Sequence, residues 1–308
     1  MTKILVTGGC GFIGSHVVDR CVDLGYEVVV IDDESATCND NFYYNDKANY
    51  HKVSITFNNI ENLFKNVDYV FHLAAESRIQ PALENPELAI KTNVLGTCRV
   101  LQYSLQNDVK RVIYSSTSSA YGLANPTPSR EDMKKDCLNP YSITKTAGEE
   151  FARMYYNLYG LETITFRYFN VYGERQPTKG QYAPVVGLFQ KQYSEERPMT
   201  VVGDGLQTRD YTHVSDVVEA NIKAITAPKE ACGELFNIGT GNSYSVLDLV
   251  KMVGGGTADH IHIPPRKGEA RHTKADITKA KNILKWKPSV DLNNWITTKA
   301  VELTKGNV

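Results

Sequence analysis

Tyr141 and Lys145 are four residues apart, so a helix would stack the phenol and the ammonium on one face. An ammonium beside a phenol favours phenolate and lowers the Tyr pKa, which would make Tyr141 a proton acceptor near neutral pH. In an ordinary helix the same pair is only a solvated Tyr and Lys, so its surroundings decide. Upstream, the hydroxyl run Ser115-Ser116-Thr117-Ser118-Ser119 follows an apolar stretch. Such a run is either a capped turn or the rim of a reactive site. Near the N-terminus, Thr7-Gly8-Gly9-Cys10-Gly11-Phe12-Ile13-Gly14 spaces Gly8, Gly11 and Gly14 three apart. A dinucleotide diphosphate needs that arrangement: a tight turn, close backbone, and unused N–H groups at a helix start. Asp32 and Asp33 close the next apolar stretch. A carboxylate there suits adenosine ribose hydroxyls and would repel a 2′-phosphate, which favours NAD over NADP.

The elements that position these groups follow from periodicity. Asn139 and Pro140 read as N-cap and first helical residue. Ile143, Ala147, Phe151, Met154 and Leu158 continue at helical spacing, and Gly160 stops the helix. Ile4-Leu5-Val6 and Val28-Val29-Val30-Ile31 are wholly apolar strands flanking a helix through Val17, Val18, Cys21, Val22 and Leu24. Residues 35–49 read as a polar loop over the adenosine end. Val53, Ile55 and Phe57 alternate as a third strand, with Asn58, Asn59 and Ile60 at its carboxyl end, where ligands bind in such sheets. Tyr69 to Leu73 make a fourth strand, ending in the small residues Ala74 and Ala75 that let a cofactor approach backbone. A long helix is expected over about 86–106, containing Asn93. Strands at 112–114 and 163–166 complete the alternation. A doubly wound parallel α/β sheet follows, of the Rossmann type. Residues 1–170 form this dinucleotide-binding part, and the helix at 215–226 and strand at 234–238 are candidates to return to it. The remainder from 171 to 308 reads as a smaller, mostly helical lobe that grips substrate, with Gly254-Gly255-Gly256 as a flexible link.

Composition excludes several classes. A net charge of −1 without a long basic run attracts neither nucleic acid nor an anionic membrane surface. No apolar run reaches membrane-spanning length. The chain enters its first strand directly after Met-Thr-Lys, leaving no room for a signal peptide and pointing to the cytoplasm. The six cysteines form no Cys-x-x-Cys pair and read as reduced packing residues. No spacing suggests a metal site; His260 and His262 alternate as strand neighbours.

Taken together, Thr7–Gly14, Asp32, Tyr141 with Lys145, and Arg167-Tyr-Phe-Asn-Val-Tyr-Gly173 resemble the extended short-chain dehydrogenase/reductases. Gly203-Asp-Gly-Leu-Gln-Thr-Arg-Asp210 and Arg266-Lys-Gly-Glu269 resemble the sugar-nucleotide branch, nearest its UDP-sugar 4-epimerases. The resemblance covers essentially the whole chain and implies roles. Thr117 would hydrogen-bond the sugar O4, Tyr141 would act as general base, and Lys145 would bind the nicotinamide ribose. Gly8, Gly11, Phe12, Ile13, Gly14, Asp32, Asp33, Asn59, Ile60, Leu73, Ala74, Ala75, Asn93 and Tyr168 would contact NAD. Asn170, Arg209 and Arg266 would bind the diphosphate and Glu269 the uridine ribose. The reaction implied is C4 inversion through a transient 4-ketose with NAD regenerated.

Rival reactions need carboxyl groups that are missing. Related 4,6-dehydratases carry Asp-Glu after the catalytic Thr, and UDP-glucuronate decarboxylases carry Glu at the second of those positions. Here Ser118 and Ser119 stand there. Non-catalytic members of the superfamily usually lack the Tyr or the Lys, and both are present. A dehydrogenase or reductase with net turnover is the remaining rival. Thr273 matches a position where a bulky Tyr excludes N-acetyl sugars, so UDP-GlcNAc and UDP-GalNAc are expected to fit beside UDP-glucose and UDP-galactose. The family often dimerises through two helices per subunit. The helices near 86–106 and 140–159 are the candidates, and Phe151, Met154, Tyr155 and Leu158 suggest a homodimer.

Overall fold

The computed structural model describes residues 1–36, 41–178, 183–255 and 258–305, with side chains to residue 299. Residues 37–40 of the predicted adenosine loop and Gly256 of the glycine link lie outside these residues.

The chain runs through β1 (Lys3–Thr7), α1 (Phe12–Asp23), β2 (Glu27–Asp32), β3 (Asn49–Lys52) and β4 (Tyr69–His72). Next come α2 (Ile79–Glu84), α3 (Pro86–Ala89), a π-helical segment (Ile90–Gly96) and α4 (Thr97–Gln106). Then follow β5 (Arg111–Thr117), α5 (Pro140–Tyr159), β6 (Glu162–Tyr168), β7 (Val171–Tyr172) and α6 (Val185–Ser194). The rest is β8 (Met199–Val202), β9 (Thr208–Arg209), β10 (Thr212–His213), α7 (Val214–Ile225), β11 (Leu235–Ile238), β12 (Tyr244–Ser245), α8 (Val246–Gly254), β13 (His260–Ile263), α9 (Thr278–Ile283) and α10 (Leu292–Lys305).

Seven strands form one parallel sheet in the order β11-β6-β5-β4-β1-β2-β3. Both faces are covered, which is why β1 and β2 are apolar without alternation. On one face Val17, Val18 and Cys21 of α1 and Val217 and Ala220 of α7 pack on Ile4, Val6, Val28 and Val30. On the other, Val100 and Leu101 of α4 and Tyr155 of α5 pack on Leu5, Val29, Val70 and Val112. The chain steps outward from β1 to β3 and then returns to β4 on the other side. The strand order therefore reverses between β1 and β4, where such sheets open a ligand crevice at their carboxyl ends.

Three expectations are corrected. The third strand is not Val53 to Phe57 but Asn49–Lys52, an edge strand paired only with β2 in the register Val29↔Asn49. An edge strand with one neighbour tolerates polar residues. Val53 and Ile55 instead belong to a turn that packs beneath the sheet with Ile60 and Phe64, and Phe57 is exposed. The helix expected over 86–106 is three successive segments, preceded by α2 and capped by Asn85, whose side chain accepts from Leu88 N. Among the described residues from 245 onward, the lobe holds three helices, α8, α9 and α10, rather than the two that the sequence pattern there suggests. The C-terminal lobe has its own core, with Phe189, Met199, Val201 and Leu249, and uses the short ladder β8-β13 to join its helices.

Below the crevice, one carboxylate pins α5 to the sheet. Glu149 accepts from Ser116 Oγ on β5 at 2.6 Å and from Arg167 Nε and Nη2 on β6 at 2.8 and 2.7 Å. Lys135 Nζ stands 3.1 Å away. Burial resists ionisation of Glu149, but the Arg167 and Lys135 charges and the Ser116 hydroxyl outweigh it and hold its pKa below the usual range. Arg167 is itself 1% exposed and stacks on Tyr121, 4.5 Å from its ring centroid. Removing one partner of such a pair leaves an uncompensated buried charge, typically costing about 3–5 kcal/mol. Glu149→Ala is expected to lose stability on that scale in urea unfolding; a midpoint and slope matching the parent would show that the pair contributes nothing.

Candidate active site

The crevice is a cleft of about 500 Å³ reaching from the β1 turn to the C-terminal lobe. It is lined by Gly8, Gly11, Phe12, Ile13, Gly14, Asp32, Asp33, Leu73, Ala74, Ala75, Thr117, Tyr141, Lys145, Tyr168, Asn170, Arg209, Arg266, Glu269 and Thr273. Of the residues singled out in the sequence, Asn59, Ile60 and Asn93 are outside this lining. Asn59 is exposed on a turn, and Ile60 is buried in the core beside Phe64. Asn93 is buried, and its amide clasps the Glu76 backbone: Oδ1 accepts from Glu76 N at 2.8 Å and Nδ2 donates to Glu76 O at 3.0 Å. Nδ2 also donates to Thr144 Oγ1 at 2.9 Å, tying the loop after β4 to α5.

The β1 end fits a dinucleotide. Gly8 has φ +74°, and a Cβ there would lie 2.7 Å from Ala74 N. A Cβ on Gly14 would lie 2.0 Å from the Gly8 carbonyl oxygen, so α1 and the turn meet only because Gly14 has no side chain. No side chain caps α1 at Gly11, which leaves the helix start to an anion. Asp32 is oriented by two backbone amides, with Cys10 N donating to Oδ2 at 2.9 Å and Glu34 N to Oδ1 at 2.8 Å. Burial pushes its pKa up, and these two hydrogen bonds pull it back.

In the middle of the cleft stand the hydroxyls. Asn139 caps α5, accepting from Ser142 N at 2.8 Å, with Pro140 in the first turn and a left-handed Gly160 at the end. The cap fixes where Tyr141 begins its turn. β5 delivers Thr117, whose Oγ1 accepts from Ser119 N at 3.1 Å and which lines the cleft together with Tyr141. The expected lowering of the Tyr141 pKa by Lys145 is absent. Burial raises the Tyr141 pKa, and the Thr117 hydroxyl opposes the rise. Lys145 is buried, with its Nζ 4.5 Å from the Tyr114 ring centroid. Burial lowers its own pKa to about 7, against an opposing pull from Glu149. Desolvation thus outweighs the pairwise attraction that spacing suggested.

The lobe end is cationic. Arg209 Nη2 lies 3.3 Å from Glu269 Oε2, and Arg266 Nη1 lies 3.8 Å from Glu269 Oε1. Neither Asp204 nor Asp210 holds Arg209. Asp204 pairs with Arg271 at 2.6 Å, and Asp210 accepts from Thr240, Gly241 and Ala275. Asn170 Nδ2 donates to Thr273 Oγ1 at 3.2 Å, which also accepts from Asp210 N at 3.2 Å. Sequence reasoning missed Arg78 and Tyr211 in the cleft, and gave Tyr172, although it falls within the Arg167–Gly173 motif, no role. It also missed Glu149, although 141, 145 and 149 share one helix face.

The sign of the Lys145 effect is testable in the ligand-free protein. Its folded pKa, about 7, lies below the unfolded value near 10.5, so the charged form is penalised by folding. The penalty is complete below pH 7 and is relieved as pH rises from 7 to 10.5. Lys145→Met is expected to raise stability most at low pH, with the advantage shrinking across that window in denaturant titrations. A difference independent of pH would contradict the burial of this charge.

The chain matches the family model described as the NAD dependent epimerase/dehydratase family over residues 4–239. The UDP-glucose 4-epimerase of Mycolicibacterium smegmatis is 36% identical over 309 residues, covering 97% of both chains. A UDP-N-acetyl-alpha-D-glucosaminuronate decarboxylase of Bacillus cytotoxicus is 33% identical over 313 residues, covering 94% of this chain and 93% of its own. The crystal structure of a UDP-glucose 4-epimerase with UDP-glucose from Thermotoga maritima superposes with a TM-score of 0.93 at 36% identity, covering 100% of both chains. Similarity of this extent, on a fold whose glycine turn and Asp32 suit a dinucleotide, places the protein in the NAD-dependent epimerase/dehydratase family, with NAD as its cofactor.

Proposed function

We propose that the protein is a UDP-sugar 4-epimerase interconverting UDP-glucose and UDP-galactose. The observation that carries this reading is that one cleft brings together Thr117, Tyr141 and Lys145, with Ser118 and Ser119 beside Thr117. Elimination of water needs an acid and a base beside the sugar, and neither serine supplies a carboxyl group. The epimerase names of the relatives from M. smegmatis and T. maritima support the same choice. Reading this chain as a decarboxylase would require a carboxylate where Ser119 stands.

In this reading Tyr141 receives the O4 proton and later returns it, while Thr117 orients O4 and stabilises the phenolate by hydrogen bonding. Lys145, one turn further along α5, binds the nicotinamide ribose. Gly8 to Gly14 and Asp32 hold the cofactor. Held by these residues, NAD would supply the hydride chemistry at C4. Arg209 and Arg266 grip the diphosphate, as planar, permanently charged guanidiniums do best. Asn170 contacts the diphosphate and Glu269 the uridine ribose. Thr273 is small and faces the cleft, so an acetamido group at C2 has room.

The purified protein, incubated separately with UDP-galactose and UDP-N-acetylgalactosamine, is expected to invert C4 in both by proton NMR, without stoichiometric NADH. Tyr141→Phe is expected to slow turnover about 10²- to 10⁴-fold while remaining folded. NADH accumulating with product would replace the epimerase by a dehydrogenase. Turnover confined to UDP-galactose would remove the role given to Thr273.

We also read the protein as a homodimer. Of the four α5 residues expected at a dimer face, Phe151, Met154 and Tyr155 pack into the subunit's own core and only Leu158 (65%) is exposed; it is joined on α5 by Ile143 (56%) and Tyr159 (52%), and over 86–106 by Leu88 (43%), Ile90 (54%) and Leu95 (42%). Sedimentation is expected to give twice the chain mass, and Leu158→Glu to shift it towards monomer. A monomer at micromolar concentration in the parent would end this reading.

A further inference from the structure

Asn139 does more than cap α5. Its Oδ1 accepts from Ser142 N at 2.8 Å, while its Nδ2 donates to the carbonyl of Gly268 at 2.8 Å. The amide cannot be turned round, because that would set N–H against N–H and oxygen against oxygen. Gly268 lies two residues after Arg266 and one before Glu269, in the loop that carries the charged end of the cleft. A second tie joins the same loop to α2, with Gln80 Nε2 donating to Lys267 O at 3.1 Å. The contact is close as well as polar. Gly268 has φ +76°, and a Cβ built on it would lie 3.4 Å from Asn139 Cβ and 3.6 Å from the Leu138 carbonyl. Asn139 is 4% exposed, so its amide N–H would be unsatisfied and buried without the loop carbonyl. Capping alone does not need that N–H: Ser, Thr and Asp cap as well as Asn does, yet none offers this second donor in the same position.

The geometry points to Asn139 as a positioning residue that couples the Arg266–Glu269 loop to the start of the Tyr141 helix. The inference rests on the reading that this loop holds the diphosphate and uridine of a UDP-sugar. One side chain fixes both the register of α5, two residues before Tyr141, and the peptide between Arg266 and Glu269. Ordering the loop on a ligand therefore tightens the cap that sets Tyr141, and a disordered cap loosens the loop. The proposal concerns neither proton transfer nor cofactor binding.

The test compares Asn139→Ser, Asn139→Ala and Gln80→Ala with the parent, using calorimetric titration with UDP, thermal unfolding, and the kinetics of UDP-galactose turnover. Asn139→Ser keeps a cap oxygen and drops the amide donor. It is expected to retain most of the parent's thermal stability, to weaken UDP binding about fivefold, as loss of one neutral hydrogen bond does, and to raise KM by a similar factor with a further fall in kcat. Asn139→Ala loses both bonds and should add a lower unfolding temperature. Gln80→Ala leaves the cap intact and cuts only the second tie, so it weakens UDP binding in the same direction and keeps the question open to test if both Asn139 variants fail to fold. UDP binding and kinetics at parent values in Asn139→Ser, with only Asn139→Ala impaired, would reduce Asn139 to a cap and overturn the proposal. Parent-like UDP binding in Gln80→Ala would overturn the loop's dependence on these ties. A parent protein that does not bind UDP would instead remove the functional reading underneath, a result distinct from either.

Discussion

A carboxylate buried beneath the cleft governs where Thr117, Tyr141 and Lys145 can stand. Glu149 lies one helical turn beyond Lys145 and two beyond Tyr141. Its bonds to Ser116 on β5 and Arg167 on β6 leave α5 one rotation and one height on the sheet. The constraint is electrostatic before it is steric. A charge taken out of water tolerates little displacement, because each lost contact exposes it to a medium that cannot replace it. Thr117 follows Ser116 directly on the same strand, so the network that places the helix also places its hydroxyl partner. An apolar contact of similar area would allow sliding between rotamers.

The other half of the site is set from a distance. Arg209 comes from a two-residue strand, and Arg266 and Glu269 come from a loop more than fifty residues later. Two guanidiniums in one small volume repel unless something negative stands between them, and Glu269 does so. This makes the arrangement ready for a polyanion without the chain having to reorganise around it. The same loop leans on α2 and on the cap of α5, so the crevice between sheet and lobe is bridged by hydrogen bonds rather than only by packing.

Burial changes the chemistry of the residues it assembles. Spacing alone suggests that Lys145 lowers the pKa of Tyr141, since the pair shares a helix face. In the folded chain Lys145 is buried and Tyr141 half-buried in the cleft wall, and each is pushed towards its neutral form. The Thr117 hydroxyl opposes this for Tyr141, and the distant Glu149 opposes it for Lys145. Which effect wins is a matter of exposure, and exposure is not a property of four consecutive helix residues.

The sequence by itself determined the features whose physics is local. The Asn139-Pro140 start and Gly160 stop of α5 were readable because capping, a fixed φ and a left-handed turn act within a few residues. The glycine turn and Asp32 were readable for the same reason, and two-sided burial of a parallel sheet printed itself in the unbroken apolar runs of β1 and β2. Only the tertiary structure decided the rest. Val53 and Ile55 alternate as a strand would, yet the edge position went to the polar 49–52, because pairing with β2 and not periodicity chose it. Asn93 was legible as a polar residue in a helix, but its partners at Glu76 and Thr144 arrive from elsewhere in the chain. Arg209 was legible as a cation, but the choice of Glu269 over Asp204 or Asp210 depended on where a loop sixty residues away was docked. Local rules act through one or two turns of chain, whereas pairing, burial and counter-charge are set by residues that only folding brings within reach.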